Sequence, residues 1–569
     1  MVRYPYFVMM GRFLVYNNYI RMKKIIYLLL LIFTCNNLSI AVEIIPRPVS
    51  VREISGTFLL SSRTTITYRD ELSNEAVLLC ETLKTEFNVV LNTNKEVSRN
   101  NISLEIDPSL QSRVGLEGYE LKVSRSNIKI SGATNTGIFY GIQTLRQLLR
   151  RSSDDDVIYF KYLIPCIEII DYPRFKWRGF MLDVSRYFHS VDVIKSLLDE
   201  MALLKMNIFH WHLTDDQGWR IPIDKYPKLI TIASERDSSM ITREKNSKGE
   251  WIFTYDGVPH KGYYTKEEIK DIIKYASARH ITIIPEIDMP SHNQAAMAAY
   301  PWLGTVKSRV KVPAAFGGEP YKINPSEINL ANPRVIRFFK DILKEVIDLF
   351  PSEIIHTGGD EVWVSLWKES PEINEFMKKN GFTTYADLQM WFTSEISDYI
   401  ESKGRRMMGW NDITGDHTNK KLDSDDFQLT INKQPSPRTI IGFWRGDLDL
   451  LAKTASKGYD IVNSYSNYTY LNNSNTDLTL EKAYSFEPIP EGLDVKYHDK
   501  ILGLTCHLWS EWVPNETILN YQVYPRLAAY AEVGWAQNKN KEFNDFLNAL
   551  NLLKEHWDRI CINYWKKIE

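Results

Sequence analysis

The spacing of apolar and polar positions changes character near Trp177. Beyond it, short apolar runs alternate with stretches in which apolar residues recur every three or four positions. Residues 179–184, 207–213, 281–287, 353–356, 406–410, 439–444, 460–464 and 501–508 read as strands. Helices fit between most of them, at 191–205, 265–278, 333–349, 385–402 and 448–457. Eight strand–helix steps in succession predict an α/β fold, a (β/α)8 TIM barrel with long inserted loops. Residues 411–438, carrying Asp, Asn and Pro, predict an extended loop. A last helix is expected from Asn538 onward, with Phe543, Phe546, Leu547 and Leu550 on one stripe.

Ahead of Trp177 the segments are shorter and half polar. Residues 64–68 and 102–106 alternate like half-buried strands, and 73–87 carries Ala76, Leu79, Cys80, Leu83 and Phe87 on one helical face. A strand pair at 119–123 and 127–130 leads to a helix at 136–149 and then to a polar loop from Arg150 to Asp156. The expected organisation is therefore a leader at 1–41, a smaller α/β domain at 42–172, a barrel at 173–537 and a C-terminal helix at 538–569.

The leader rests on Met22-Lys23-Lys24, an apolar run from Ile25 to Phe33, and Ser39-Ile40-Ala41. Such a run is too short to span a bilayer, while a charged start and a small-residue exit fit a secretory signal cleaved after Ala41. Residues 1–21 fit this poorly, which favours Met22 as initiator. Phe33-Thr34 ahead of Cys35 is a poor match to a lipid-attachment site. The expectation is an exported protein, periplasmic or secreted, with no integral membrane span.

Composition narrows the classes. A net charge of −2 offers no electrostatic case for nucleic acid or an anionic membrane surface. Cys80, Cys166, Cys506 and Cys561 form no CxxC pair and hold no metal-ligand spacing with His, so neither a disulfide framework nor a metal is expected. Sparse cysteines of this kind usually serve as small buried apolar groups.

The candidate chemistry lies where the strands end. The first runs into Asp183-Val184-Ser185-Arg186 and the second into His212-Leu213-Thr214-Asp215-Asp216. The third ends in Glu286-Ile287-Asp288 with His292 beyond, and the fourth in His356-Thr357-Gly358-Gly359-Asp360-Glu361. Trp410, Trp444, Tyr470 and Trp509-Ser510-Glu511 close the remaining four. The C-terminal mouth of a barrel is where its chemistry is done. Paired acids suggest glycoside hydrolysis, yet a standard retaining pair flanks the sugar from opposite sides, about 5 Å apart. Adjacent Asp360 and Glu361 more naturally work from one side, one donating a proton and the other orienting a substrate that brings its own nucleophile.

These motifs together resemble glycoside hydrolase family 20, the β-N-acetylhexosaminidases. The likeness covers nearly the whole chain after the leader, including Gly137-Ile138-Phe139-Tyr140-Gly141 in the small domain. It implies a substrate-assisted, retaining, exo-acting enzyme that removes terminal β-linked GlcNAc or GalNAc from glycans without a cofactor. By the same resemblance, Glu361 is the acid and then the base, and Asp360 orients the acetamide. His292 and Asp215 tune the donor, while Tyr470 binds the acetamide carbonyl. Arg186 and Glu511 hold sugar hydroxyls, and Trp410, Trp444 and Trp509 form the walls. The family commonly has Tyr-x-Asp where this chain reads Tyr470-Leu471-Asn472, so a charge is lost near the C4 and C6 hydroxyls.

Three other readings remain. One is a family member releasing disaccharides; another is a glycan-binding protein on the same fold. The third is a metal-dependent hydrolase. His210 and His212 alternate on one strand as ligands would, but their ring is not expected to be completed by further His at suitable strand ends.

Overall fold

The computed structural model describes residues 43–94, 100–151, 162–305, 310–314, 327–416 and 428–567. The leader, Cys35, residues 152–156 of the polar loop and most of the loop from Val306 to Tyr321 lie outside them. No helix among the described residues is long and apolar enough to cross a membrane.

Eight parallel strands close into a barrel: Trp177–Asp183, Ile208–His212, Thr282–Glu286, Ile354–His356, Arg406–Trp410, Ile440–Phe443, Asp460–Asn463 and Ile501–Leu508. The alternation along the second strand shows how the site is made. Phe209 and Trp211 face the helices, where Trp211 packs on Tyr264 and Phe350. His210 and His212, one residue out of step, therefore face the barrel interior. Register then fixes their neighbours, with His212 opposite both Asp183 and Glu286, and Glu286 opposite His356. Polar side chains from four adjacent strands thus meet at one level, just below the C-terminal mouth.

The helices that cover the barrel start where capping residues allow. Ser190 caps Val191–Leu203, Thr265 forms a full capping box with Glu268 on Lys266–Ala278, and Asn332 caps Pro333–Leu349 with proline in its first turn. Tyr385–Ser402 has a similar box, Thr384 with Asp387.

The preceding sheet runs from Ser50–Leu60 through Tyr162–Asp171, Tyr119–Val123, Asn127–Gly132, Asn101–Ile106 and Thr65–Thr67 to Asn92–Asn94. Its helices Ser73–Phe87 and Asn135–Leu148 match the apolar periodicity. Arg150–Arg151 departs from the expected loop by pairing with Tyr162 and Leu163 as a short strand. Cys166 and Cys506 are buried as expected, whereas Cys561 is exposed.

Sheet and barrel are joined by a buried polar knot. Asp171 accepts hydrogen bonds from Lys205 Nζ at 2.8 Å, Tyr119 Oη at 2.7 Å and Trp535 Nε1 at 2.9 Å. Both Lys205 and Asp171 have 0% exposure. Replacing Asp171 with alanine leaves a buried ammonium without its counter-charge, so we expect a loss of about 3–5 kcal/mol, read as an earlier urea midpoint.

Candidate active site

The fourth strand ends in a turn that only glycine can make. Gly358 and Gly359 have φ of +62° and +92°, and a Cβ on them would lie 2.0 Å from Asp288 Oδ1 and 2.4 Å from Ile413 Cγ2. Gly358 N–H donates to His356 Nδ1 at 3.0 Å, and Gly359 N–H to Asp288 Oδ1 at 3.1 Å. Ser291 Oγ donates to the Asp360 carbonyl, tying the third loop to the fourth. Two nearby non-glycine residues, His292 and Glu361, hold φ of +51° and +48°. Non-glycine residues in that region persist where the surroundings over-determine them, as they do at functional sites.

His292 stands between two pairs of acids. Its Nδ1 lies 3.2 Å from Asp216 Oδ2 and 3.5 Å from Asp215 Oδ1, and its Nε2 lies 3.7 Å from Glu361 Oε2 and 3.9 Å from Asp360 Oδ2. The sequence singled out Asp215, yet the nearer carboxylate is Asp216, whose other oxygen accepts the Gln294 N–H at 2.9 Å. Burial alone would strip His292 of its proton; Asp215, Asp216 and Asp360 override it and hold the imidazolium well above the usual range. Burial, opposed by His292 and reinforced by Glu361 and Asp412, pushes the Asp360 carboxyl up to about 7.

Arg186 is fixed by three acceptors: Gln217 Oε1 at 2.8 Å, Asp183 Oδ2 at 3.2 Å and Asp215 Oδ2 at 2.8 Å. A guanidinium has five N–H donors, so two remain for a ligand. Its plane lies over Trp509, 5.1 Å from the ring centre. Trp410 and Trp509 pack with Met181, and Trp444 and Tyr470 lean on that cluster, stacked within 12° of parallel. The predicted walls are therefore contiguous. Around them, Asp360 Oδ1, Asn472 Oδ1 and Glu511 Oε2 are buried without a hydrogen-bond partner among the described residues. Buried polar atoms left unpaired need a reason, and a polyhydroxylated ligand supplies one. Burial raises the Glu511 carboxyl, with Arg186 opposing.

A pocket with stacked aromatic faces, converging acids and a two-donor arginine suits one sugar ring. The chain also matches the model "Glycosyl hydrolase family 20, catalytic domain" over residues 175–538, and that family's "domain 2" over 41–172. It belongs to glycosyl hydrolase family 20. A β-hexosaminidase of Porphyromonas gingivalis is 34% identical over 92% of this chain, which spans 64% of that protein. One from Akkermansia muciniphila is 31% identical over 76% of this chain and 82% of its own length. Among solved structures, the exo β-N-acetylglucosaminidase of Vibrio harveyi with N-acetylglucosamine superposes with a TM-score of 0.77. It is 31% identical over 92% of this chain and 78% of its own. The β-N-acetylhexosaminidase of Bacteroides fragilis gives 0.74 at 30% identity over 92% and 97%.

Two features of the site escaped the sequence reading. Asp412, just after Trp410, accepts the Trp444 ring N–H at 2.8 Å, and the strand-end rule could have found it. The histidine ring left incomplete is in fact extended by His356, which with His210 and Glu286 brings ligand-type atoms within 4.8 Å of one another. His507 lies beside them, 5.4 Å from Trp410 between ring centres. A metal would have to compete there for Glu286, whose oxygens already accept from His212 Nδ1 at 2.6 Å and Trp410 Nε1 at 3.0 Å.

Proposed function

We propose that this family 20 protein is an exo-acting, retaining β-N-acetylhexosaminidase in which the substrate acetamide is the nucleophile. The observation that carries the reading is the placement of Asp360 and Glu361 side by side at one strand end, both facing His292. A single pair of neighbours cannot flank a sugar as nucleophile and acid; it can serve one face of it.

In this mechanism the acetamide oxygen attacks C1 as the bond to the leaving oxygen breaks, and Glu361 gives that oxygen its proton. Asp360 accepts the acetamide N–H and stabilises the charge of the oxazolinium that forms. Tyr470, whose hydroxyl burial keeps neutral, donates to the acetamide oxygen. Glu361 then removes a proton from the water that opens the oxazolinium at C1, returning the β configuration. Trp410, Trp444 and Trp509 wall the ring, while Arg186, Glu511 and Asn472 take its hydroxyls.

Asp360 must be ionised to do this. Below its pKa of about 7 it is neutral and the oxazolinium loses its counter-charge. We therefore expect kcat/KM to fall as pH is lowered through about 7, reporting the free enzyme. A rate flat across that range would contradict the assignment.

Walls on several sides favour cleavage from a chain end, and chitotetraose separates the alternatives. Exo action yields N-acetylglucosamine and chitotriose first, whereas disaccharide release yields chitobiose alone, and a binding protein yields nothing. The leader-like residues 22–41 support export; a mature N-terminus at Val42 in the periplasmic or secreted fraction would bear that out.

A further inference from the structure

Below the sugar pocket, Glu286 has no part in the mechanism above, yet it touches one wall of the pocket and, through His212, reaches the acids behind it. It has 0% exposure, and its two oxygens divide their work. Oε1 accepts the ring N–H of Trp410, a wall of the pocket, at 3.0 Å. Oε2 accepts His212 Nδ1–H at 2.6 Å. On the far side of the ring, His212 Nε2–H donates to Asp215 Oδ2 at 2.9 Å. That same Asp215 oxygen grips Arg186 at 2.8 Å, and its partner oxygen faces His292, whose Nε2 lies 3.7 Å from Glu361.

We propose that Glu286, acting through His212, is the positioning residue that couples the sugar-binding wall to the proton donor. The inference rests on the hydrolytic reading above. Its basis is geometric. An imidazole with a carboxylate at each nitrogen must carry a proton on both, so His212 is a fixed cation between Glu286 and Asp215. The two acids raise its proton affinity despite complete burial. His210 Nε2 lies 2.9 Å from the same Glu286 oxygen, but burial and neighbouring His356 keep it neutral at a pKa of about 4. His212 is thus a cation directed at Asp215. Asp215 in turn supplies one of the three acceptors of Arg186 and one of the two carboxylates at His292 Nδ1, and Trp410 is set by the other arm of the Glu286 carboxylate. Position at the reacting atoms is what such remote groups supply, and small displacements there are costly.

An amide at 286 cannot sustain the doubly protonated ring. In Glu286→Gln, neutral His212 has one N–H to share between position 286 and Asp215, and proton delivery through His292 to Glu361 loosens. A loosened donor matters only where the leaving group needs a proton. We expect kcat/KM on methyl β-N-acetylglucosaminide to fall about tenfold more than on the 2,4-dinitrophenyl glycoside. A KM rise common to both would report the slackened Trp410 wall. In a His292→Ala background the same change should add no further leaving-group dependence, because the path is already cut. Equal losses on both substrates, or full additivity with His292→Ala, would overturn the proposal and leave Glu286 a purely structural group. Should Glu286→Gln fail to fold, His212→Gln breaks the chain one step later and carries the same expectation. Wild-type turnover of the dinitrophenyl glycoside is measured first; its absence would sink the hydrolytic reading itself, a separate failure.

Discussion

Glu361→Gln should lose about 10²–10⁴ in kcat/KM on a glycoside with an alkyl or sugar leaving group. On the 2,4-dinitrophenyl glycoside, kcat/KM should stay near wild type, because that leaving group departs as a stable anion. kcat should fall on both, since the same glutamate is the base for water in the second step. The structure gives this residue the place such a role needs. It sits at the end of the fourth strand, with a left-handed backbone held by the glycine turn, and His292 Nε2 lies 3.7 Å from its carboxylate. A uniform loss on both substrates, in kcat/KM as well as kcat, would move the acid elsewhere.

Asp360→Asn should behave differently. Its task is to stabilise charge on the acetamide, and that charge develops whatever the leaving group. We expect about 10²–10³ lost in kcat/KM on activated and unactivated substrates alike. The fall of kcat/KM below pH about 7 should disappear with it, since the amide has nothing to titrate. The two neighbours would thus be told apart by leaving-group dependence alone. If Asp360→Asn reproduced the pattern expected of Glu361→Gln, the assignments would be exchanged.

All eight barrel strands were legible in the sequence because burial on both faces leaves near-continuous apolar runs. The helices Pro333–Leu349 and Tyr385–Ser402 were legible to the residue, since cap, period and length agree. The edge strand Ser50–Leu60 was not. Its residues are mostly exposed, and an irregularity between Glu53 and Thr57 breaks the alternation. Its partner Tyr162–Asp171 carries Pro165, a residue that argues against a strand interior and here sits opposite Thr57 beside that irregularity. The hairpin of Met240–Lys245 and Trp251–Tyr255 was missed for the same reason, since five of the six residues in its first strand are exposed.

At the site, residue types at strand ends were enough to nominate Asp360, Glu361, His292, Arg186 and the aromatic walls. Partnerships were not. Whether His292 leans on Asp215 or Asp216 depends on a turn geometry no spacing encodes. The grouping of His210, His212, Glu286 and His356 is a matter of register between strands separated by up to about 150 residues, which periodicity along one strand cannot reveal. The strand-end rule looked at the mouth of the barrel; apart from Asp412, what it left out lies one layer below.

The most direct measurement of the central claim compares an aryl β-N-acetylglucosaminide with the matching aryl β-glucoside, identical but for the acetamide. If the substrate supplies the nucleophile, the first is turned over and the second is not, since nothing remains to attack C1. Comparable rates on the two would mean that a protein carboxylate attacks instead, and the role given to Asp360 would be wrong.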